Sequence, residues 1–279
     1  IRTSEDMSNT ERDTALSALQ GLVQKFIEEA QDELRELWNA LPVETSEKEL
    51  YEVVGALMSR QSLLLRQLSL SSEFWNFDGG SLVLRSMVDT HITLAYICHE
   101  DSLKRALAFI DYGLGQERLY TAKVKAKAEA DGNTDVVAEL TAYESDLDSE
   151  KYIHHTDVKY GAWSDKNIKS LANEVGLRDY YEATFPPFSS GTHGIWNHLL
   201  KFNCSVSDNP LHAGLKIPKT KHPSPDVEIL MLAAGQAEMS FRLVRKRFNI
   251  AEPQTSPAQS LDTGMNEITA KFNRSANQE

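Results

Sequence analysis

Leu82–Cys98, LVLRSMVDTHITLAYIC, is the most apolar window of the chain, and Arg85, Asp89 and His91 interrupt it. An unbroken run of roughly 18–20 apolar residues would read as a membrane span, whereas one broken by ionisable side chains reads as a buried core helix. Such a helix needs others to cover it. Arg85 and Asp89 stand four residues apart, on one face of the helix, where they can pair. Leu82, Ile92 and Tyr96 extend that face, which puts the pair on an apolar stripe. An unpaired buried charge is costly, and even a buried pair often adds no net stability. The insert therefore points either to an ion pair that fixes helix register or to a functional site.

Helical patterns continue on both sides. Between Glu11 and Ala40, Leu16, Leu19, Val23, Phe26, Ile27, Leu34 and Leu37 recur near the helical period, and Leu41-Pro42 ends the run. Ser46 with Glu49 resembles a capping box that opens a helix through about Leu70, and Gly79-Gly80 is expected to break the chain before the buried helix. A long helix from Asp101 to about Ala130, the stop Asp131-Gly132 and a helix over Thr134–Tyr152 predict a protruding helical hairpin. A loop over 153–164, a short helix from Asp165 to Gly176 and another around Tyr180-Tyr181 follow. Cys204–Pro223 reads as loop, and Ser224-Pro225 opens a helix carrying Val227, Met231, Ala234, Phe241, Val244 and Phe248 on one face. The expected fold is an all-α multi-helix bundle. It forms a single all-helical domain over 11–250 and has a flexible polar C-terminal tail over 251–279, largely disordered apart from a short helix near Met265–Phe272.

Asp and Glu outnumber Lys and Arg 41 to 29, for a formal charge of −12. Such a chain gains no global attraction toward nucleic acid or anionic membrane, so neither general nucleic-acid affinity nor a membrane partner is expected. The basic cluster Arg242, Arg245, Lys246 and Arg247 reads as cations complementing a helix C-terminus. Two cysteines, Cys98 and Cys204, cannot build a disulfide framework or a cysteine zinc site, and reduced thiols in a cytoplasmic protein are expected. No signal-peptide pattern precedes the first polar helix.

Arg85 and His91 match the Arg-x(4–6)-His spacing of HEPN-type ribonucleases, which are helical bundles. In that chemistry an arginine stabilises phosphate while a histidine moves protons around an attacking 2′-hydroxyl, without a metal. The two residues stand six apart, about 120° around an ideal helix. A second polar segment, FSSGTHGIWNH over Phe188–His198, follows Pro186-Pro187. Read as a helix over 189–202, it places Ser189, His193, Asn197 and Leu200 on one face, with Ser190 one turn from His193. His193 and His198, five apart, cannot ligate one metal from a regular helix. The pair His154-His155 with Asp157 has no further ligand at a recognisable spacing, and no metal or cofactor is expected. Gly191 and Gly194 suggest close helix packing or an irregular helix start, and a structural role for His193 as a polar lock competes with a site role.

The combination resembles a group of mainly bacterial helical proteins called domain of unknown function 5677. Their pattern is an arginine and an acidic residue on a hydrophobic helix, then a tyrosine, a serine and a histidine-glycine. Arg85, Asp89, Tyr181, Ser190, His193 and Gly194 stand at these places, with Trp163 upstream, over roughly Leu63 to Leu200. The family more often carries glutamate where this chain has Asp89. The resemblance implies that the two polar segments meet in space, and it supplies no established activity. Helical proteins of this sort, HEPN-like ones included, recur in bacterial defence and toxin systems. One expectation is thus a metal-independent ribonuclease of a defence or toxin system, with Arg85, His91 and His193 as catalytic residues and Asp89, Tyr181, Ser190 and Asn197 as binding residues. The other is a non-catalytic helical sensor or adaptor that binds a protein partner or a small ligand. A homodimer through the helices 11–40 and 224–248 is a further expectation.

Overall fold

The computed structural model describes residues 9–154, 163–221 and 223–275. The chain is all-α: α1 (Asn9–Ala40), α2 (Lys48–Ser69), α3 (Phe77–His99), α4 (Ser102–Ala130), α5 (Thr134–His154), α6 (Ile168–Glu174), α7 (Arg178–Thr192), α8 (Trp196–Phe202), α9 (Val227–Arg247) and α10 (Pro257–Ser275). The chain divides into two compact units. Ile1–Leu41, Met58–His91 and Asp179–Glu279 form the first, and Pro42–Leu57 and Ile92–Arg178 the second.

The first unit is built on α1, α9, α10 and parts of α2 and α3. Phe26, Leu37, Met58, Leu68, Leu84, Met87, Leu230 and Phe241 are fully buried in it, which accounts for the apolar stripes of α1 and α9 within one chain. α3 begins at Phe77 and runs through Gly79-Gly80 rather than starting after them. Asn76 Oδ1 caps the first turn by accepting from Gly79 N at 2.8 Å. A Cβ on Gly80 would lie 2.5 Å from Ile229 Cγ2, so the glycine here serves helix contact and not chain breaking.

The C-terminal tail expected from residue 251 is helical over Pro257–Ser275, well beyond the short helix expected near Met265–Phe272. α10 packs on α1, with Leu261 fully buried and Gly264 so close that a Cβ would meet Leu22 Cδ1 at 2.4 Å. The polar composition of this segment reflects the wide solvent face of an amphipathic helix. The stretch read as loop over 204–223 contains a two-stranded antiparallel ribbon, β1 (Cys204–Val206) and β2 (Lys216–Pro218), with Ser205 opposite Ile217. Strands of three residues are too short to show alternation.

The second unit contains the expected hairpin, α4 against α5. Arg118–Asp148 at 2.7 Å, Lys125–Glu144 at 2.6 Å and Tyr143 Oη donating to Glu117 at 3.0 Å link its two arms. In the same unit Trp163 meets Tyr96 and Phe109 edge-on, with centroids at 5.6 and 5.2 Å. Arg105 lies over the Tyr96 ring at 3.8 Å, donates to Tyr96 O at 2.6 Å and pairs with Glu174 at 2.7 Å. Trp163, which stands upstream of the family-like pattern, is thus part of an aromatic cluster in this unit. His155 and Asp157, considered above as metal ligands, lie outside the described residues.

Candidate functional site

Every residue proposed from sequence as catalytic or binding falls in the first unit. Arg85 and Asp89 form the expected pair one turn apart on α3. The Arg85 guanidinium carbon also lies over the Phe185 ring of α7, 3.5 Å from its centroid, an arrangement that suits a weakly hydrated, delocalised cation. Among the described residues, buried Arg85 Nε has no hydrogen-bond acceptor and buried Asp89 Oδ1 no donor. Burial pushes the Asp89 carboxyl above its ordinary range, an effect that the Arg85 charge and hydrogen bond offset only in part.

His91 takes a different direction from the same helix. It is 2 % exposed, and its Nδ1 lies 2.9 Å from Ser240 Oγ on α9. Ser240 Oγ accepts from Gln61 Nε2 at 2.8 Å and reaches the Gln236 carbonyl at 3.2 Å. With the hydroxyl proton on that carbonyl, the His91 Nδ1–H donates to Ser240. Gln61 Nε2 also donates to Met87 O at 3.1 Å, which ties α2 to α3. The Tyr180 ring stands edge-on to the His91 imidazole at 5.2 Å, and its hydroxyl donates to Gln236 Oε1. Burial lowers the His91 pKa to about 4, so the imidazole is neutral at pH 7. Burial also raises the Tyr180 phenol above its usual range. The result is a continuous polar network across α2, α3, α7 and α9.

α3 and α7 do meet, as the resemblance implied, but largely through other residues than those expected. Tyr181 packs against Phe185 with the rings tilted and their centroids 4.5 Å apart, while its neighbour Tyr180 turns inward to the network. Ser190 Oγ donates back to Pro186 O of its own helix at 3.0 Å. α7 passes through Pro186 and Pro187 without ending, because both lie on its exposed side, where carbonyls deprived of a donor stay accessible. It stops at Gly194, whose φ of +56° is the left-handed conformation a helix end favours. This break resets the helical phase, so the expected shared face of Ser189, His193, Asn197 and Leu200 does not form. His193 and Asn197 are exposed, and among the described residues no hydrogen bond or ion pair engages the His193 side chain.

The histidine of this segment that the fold buries is His198, 4 % exposed. Its Nε2 lies 2.8 Å from Asp78 Oδ1, and Asn203 Nδ2 donates to Asp78 Oδ2 at 3.2 Å, which pins α8 to the first turn of α3. Phe77 and Phe202 flank the imidazole at 6.1 and 4.7 Å. Gly191 allows this approach: a Cβ there would sit 2.0 Å from Ser81 Oγ and 3.0 Å from His198 Cε1. Gly191→Ala is expected to cost about 1–3 kcal/mol, and adding Ser81→Gly to recover much of it. Equal denaturation midpoints for Gly191→Ala and wild type would refute the contact.

Sequence reading missed Gln61, Asp78, Tyr180, His198, Gln236 and Ser240. Gln236 and Ser240 were legible as two polar residues one turn apart within the apolar stretch of α9. The others depend on which of two adjacent or nearby side chains faces inward. The basic cluster at the end of α9 also divides. Arg245 is 6 % exposed and pairs with Glu33 at 3.2 Å, so it is a core residue and not part of a surface patch. No helix among the described residues is long and apolar enough to cross a membrane.

No curated protein and no solved structure matches the chain. Residues 51–210, more than half of the chain, match the model of one family, and this span takes in Arg85, Asp89, Tyr180, Tyr181 and Gly194. The chain belongs to the Family of unknown function (DUF5677).

Proposed function

We propose that this protein is a non-catalytic helical sensor or adaptor, in which Arg85, Asp89 and His91 lock the helices rather than carry out chemistry. The observation that carries the reading is His91: sealed from solvent, neutral, and committed through Nδ1 to Ser240. A general acid or base has to reach its substrate and titrate near the working pH, and this imidazole does neither. The acidic charge balance adds support, because binding a phosphate backbone draws on many cations. In this role the protein acts through a protein partner or a small ligand, as a monomer or a homodimer.

The test is to incubate purified protein in molar excess with end-labelled RNA and follow the melting temperature of Asp89→Ala in parallel. Intact RNA together with a melting temperature several degrees lower is the expected outcome. RNA cleavage that disappears in both His91→Ala and His193→Ala would overturn the reading. A second reading, a metal-independent HEPN-like ribonuclease of a bacterial defence or toxin system, is favoured by one observation. Arg85 Nε is a buried donor without an acceptor among the described residues, as an anion-binding arginine would be. The same cleavage assay decides between the two.

A further inference from the structure

Charge is unevenly distributed along this chain. Residues 193–221 carry Lys201, Lys216, Lys219 and Lys221 against a single acid, Asp208, in a protein whose net charge is −12. The same segment exposes large apolar side chains: Leu211 by 88 %, Val206 by 52 % and Leu215 by 50 %. The β1–β2 ribbon carries Val206 and Leu215 on opposite faces, both near the end that bears Leu211. Val206 lies opposite Lys216, and Ser207 N donates to Leu215 O at 2.9 Å. Lys219 N donates to Asn203 O at 2.8 Å, which continues the ribbon toward α8. At its far end a turn over Pro210–His212, capped by Asn209 Oδ1 on Leu211 N, holds Leu211 out in solvent. α8, which packs on β1, adds exposed Trp196 and Lys201.

Apolar tips beside lysines, with a tryptophan nearby, fit one occupant better than others. Aliphatic side chains favour the acyl boundary of a bilayer, tryptophan the headgroup level, and lysines the anionic headgroups. Nucleic acid is a poorer match. Residues 193–221 contain no arginine, whose planar fork suits phosphate, and a phosphate backbone offers an exposed leucine nothing to cover it. We infer that the β1–β2 ribbon docks this protein on an anionic phospholipid surface, with Leu211 and Leu215 entering the interface and Lys216 and Lys219 meeting the headgroups. Such docking needs no spanning helix. The acidic remainder of the chain opposes it weakly, because its field decays over roughly 8 Å at physiological ionic strength.

The experiment is co-sedimentation of the full chain with phosphatidylcholine vesicles and with vesicles that also contain phosphatidylglycerol. Binding to the anionic vesicles alone is expected, weakening as salt rises. Leu211→Asp with Leu215→Asp, and separately Lys216→Glu with Lys219→Glu, should each lower vesicle affinity by about tenfold or more. All four side chains lie at the surface, so the melting temperature of each variant should match wild type. Absent binding to anionic vesicles, or equal binding by the variants, would overturn the inference. So would single-stranded RNA that binds and loses affinity in the same variants, which assigns the ribbon to nucleic acid. A sedimentation dimer abolished by the Leu211 and Leu215 changes, without vesicle binding, would instead assign it to a second copy of the chain.

Discussion

Replacing Glu33 with alanine is expected to lower the unfolding free energy by about 3–5 kcal/mol, because it removes the buried counter-charge of Arg245 and leaves only the more distant, exposed Glu252. Arg245 is 6 % exposed and Glu33 8 % exposed. Nη2 donates to Glu33 Oε1 at 3.2 Å and Nη1 to Ala251 O at 2.9 Å, while Nε lies 3.9 Å from Glu252. The pair joins α1 to the end of α9, and the bond to Ala251 O ties the chain that follows α9 back to that helix. Burial raises the Glu33 carboxyl above its ordinary range despite Arg245, with Glu238 and Glu252 adding to the rise. The ionised carboxylate is thus under strain in the fold, and the pair serves geometry more than net stability. Two variants separate these roles. Glu33→Gln keeps an acceptor for Arg245 and should cost less than Glu33→Ala. Glu33→Leu with Arg245→Met, which removes both charges, should recover most of the loss. Denaturant unfolding measures all three, and equal losses in Glu33→Gln and Glu33→Ala would show that charge pairing is not the cause.

Acidification should expose the buried histidine. The His91 pKa falls from 6.5 to about 4 on folding, so the unfolded chain takes up a proton at a pH where the folded one resists. Its contribution to stability is therefore fully present above pH 6.5 and is lost as pH drops toward 4, in total by about 3 kcal/mol. Asp89 and Glu33 act in the opposite sense. Their raised pKa values mean that the folded chain holds protons more firmly, which favours the fold as pH falls and is lost as pH rises through those values. The signature of His91 is therefore a difference. Stability of wild type minus that of His91→Gln should decline between pH 7 and pH 4, whatever the offset between the two proteins. Parallel profiles would mean that His91 takes up its proton at the same pH in the folded and unfolded chain, and that the polar network is open to water.

The division of the candidate site between what was legible and what was not follows from the range of the interactions. The pairing of Arg85 with Asp89 needs only one helical turn, and helix geometry alone predicts it. The long helices were equally readable, because their apolar spacing is a local property. The expected face shared by Ser189, His193, Asn197 and Leu200 does not form, for a reason one glycine supplies. The left-handed turn at Gly194 rotates everything after it, and a helical wheel drawn through that point assigns faces that do not exist. Tyr180 and Tyr181 are neighbours with the same chemistry, and only the position of Gln236 on a helix some fifty residues later selects the inward one.

Sequence by itself determined the all-α class, the helical hairpin, the core position of Leu82–Cys98 and the ion pair upon it, since each rests on periodicity or on spacing within a turn. Tertiary structure alone decided that His91 meets Ser240, that His198 and not His193 is buried, that Arg245 belongs to the core, and that residues 257–275 fold onto α1. Those contacts join side chains far apart along the chain. Their free energies depend on which surfaces the packed helices bring together, and no local pattern encodes that.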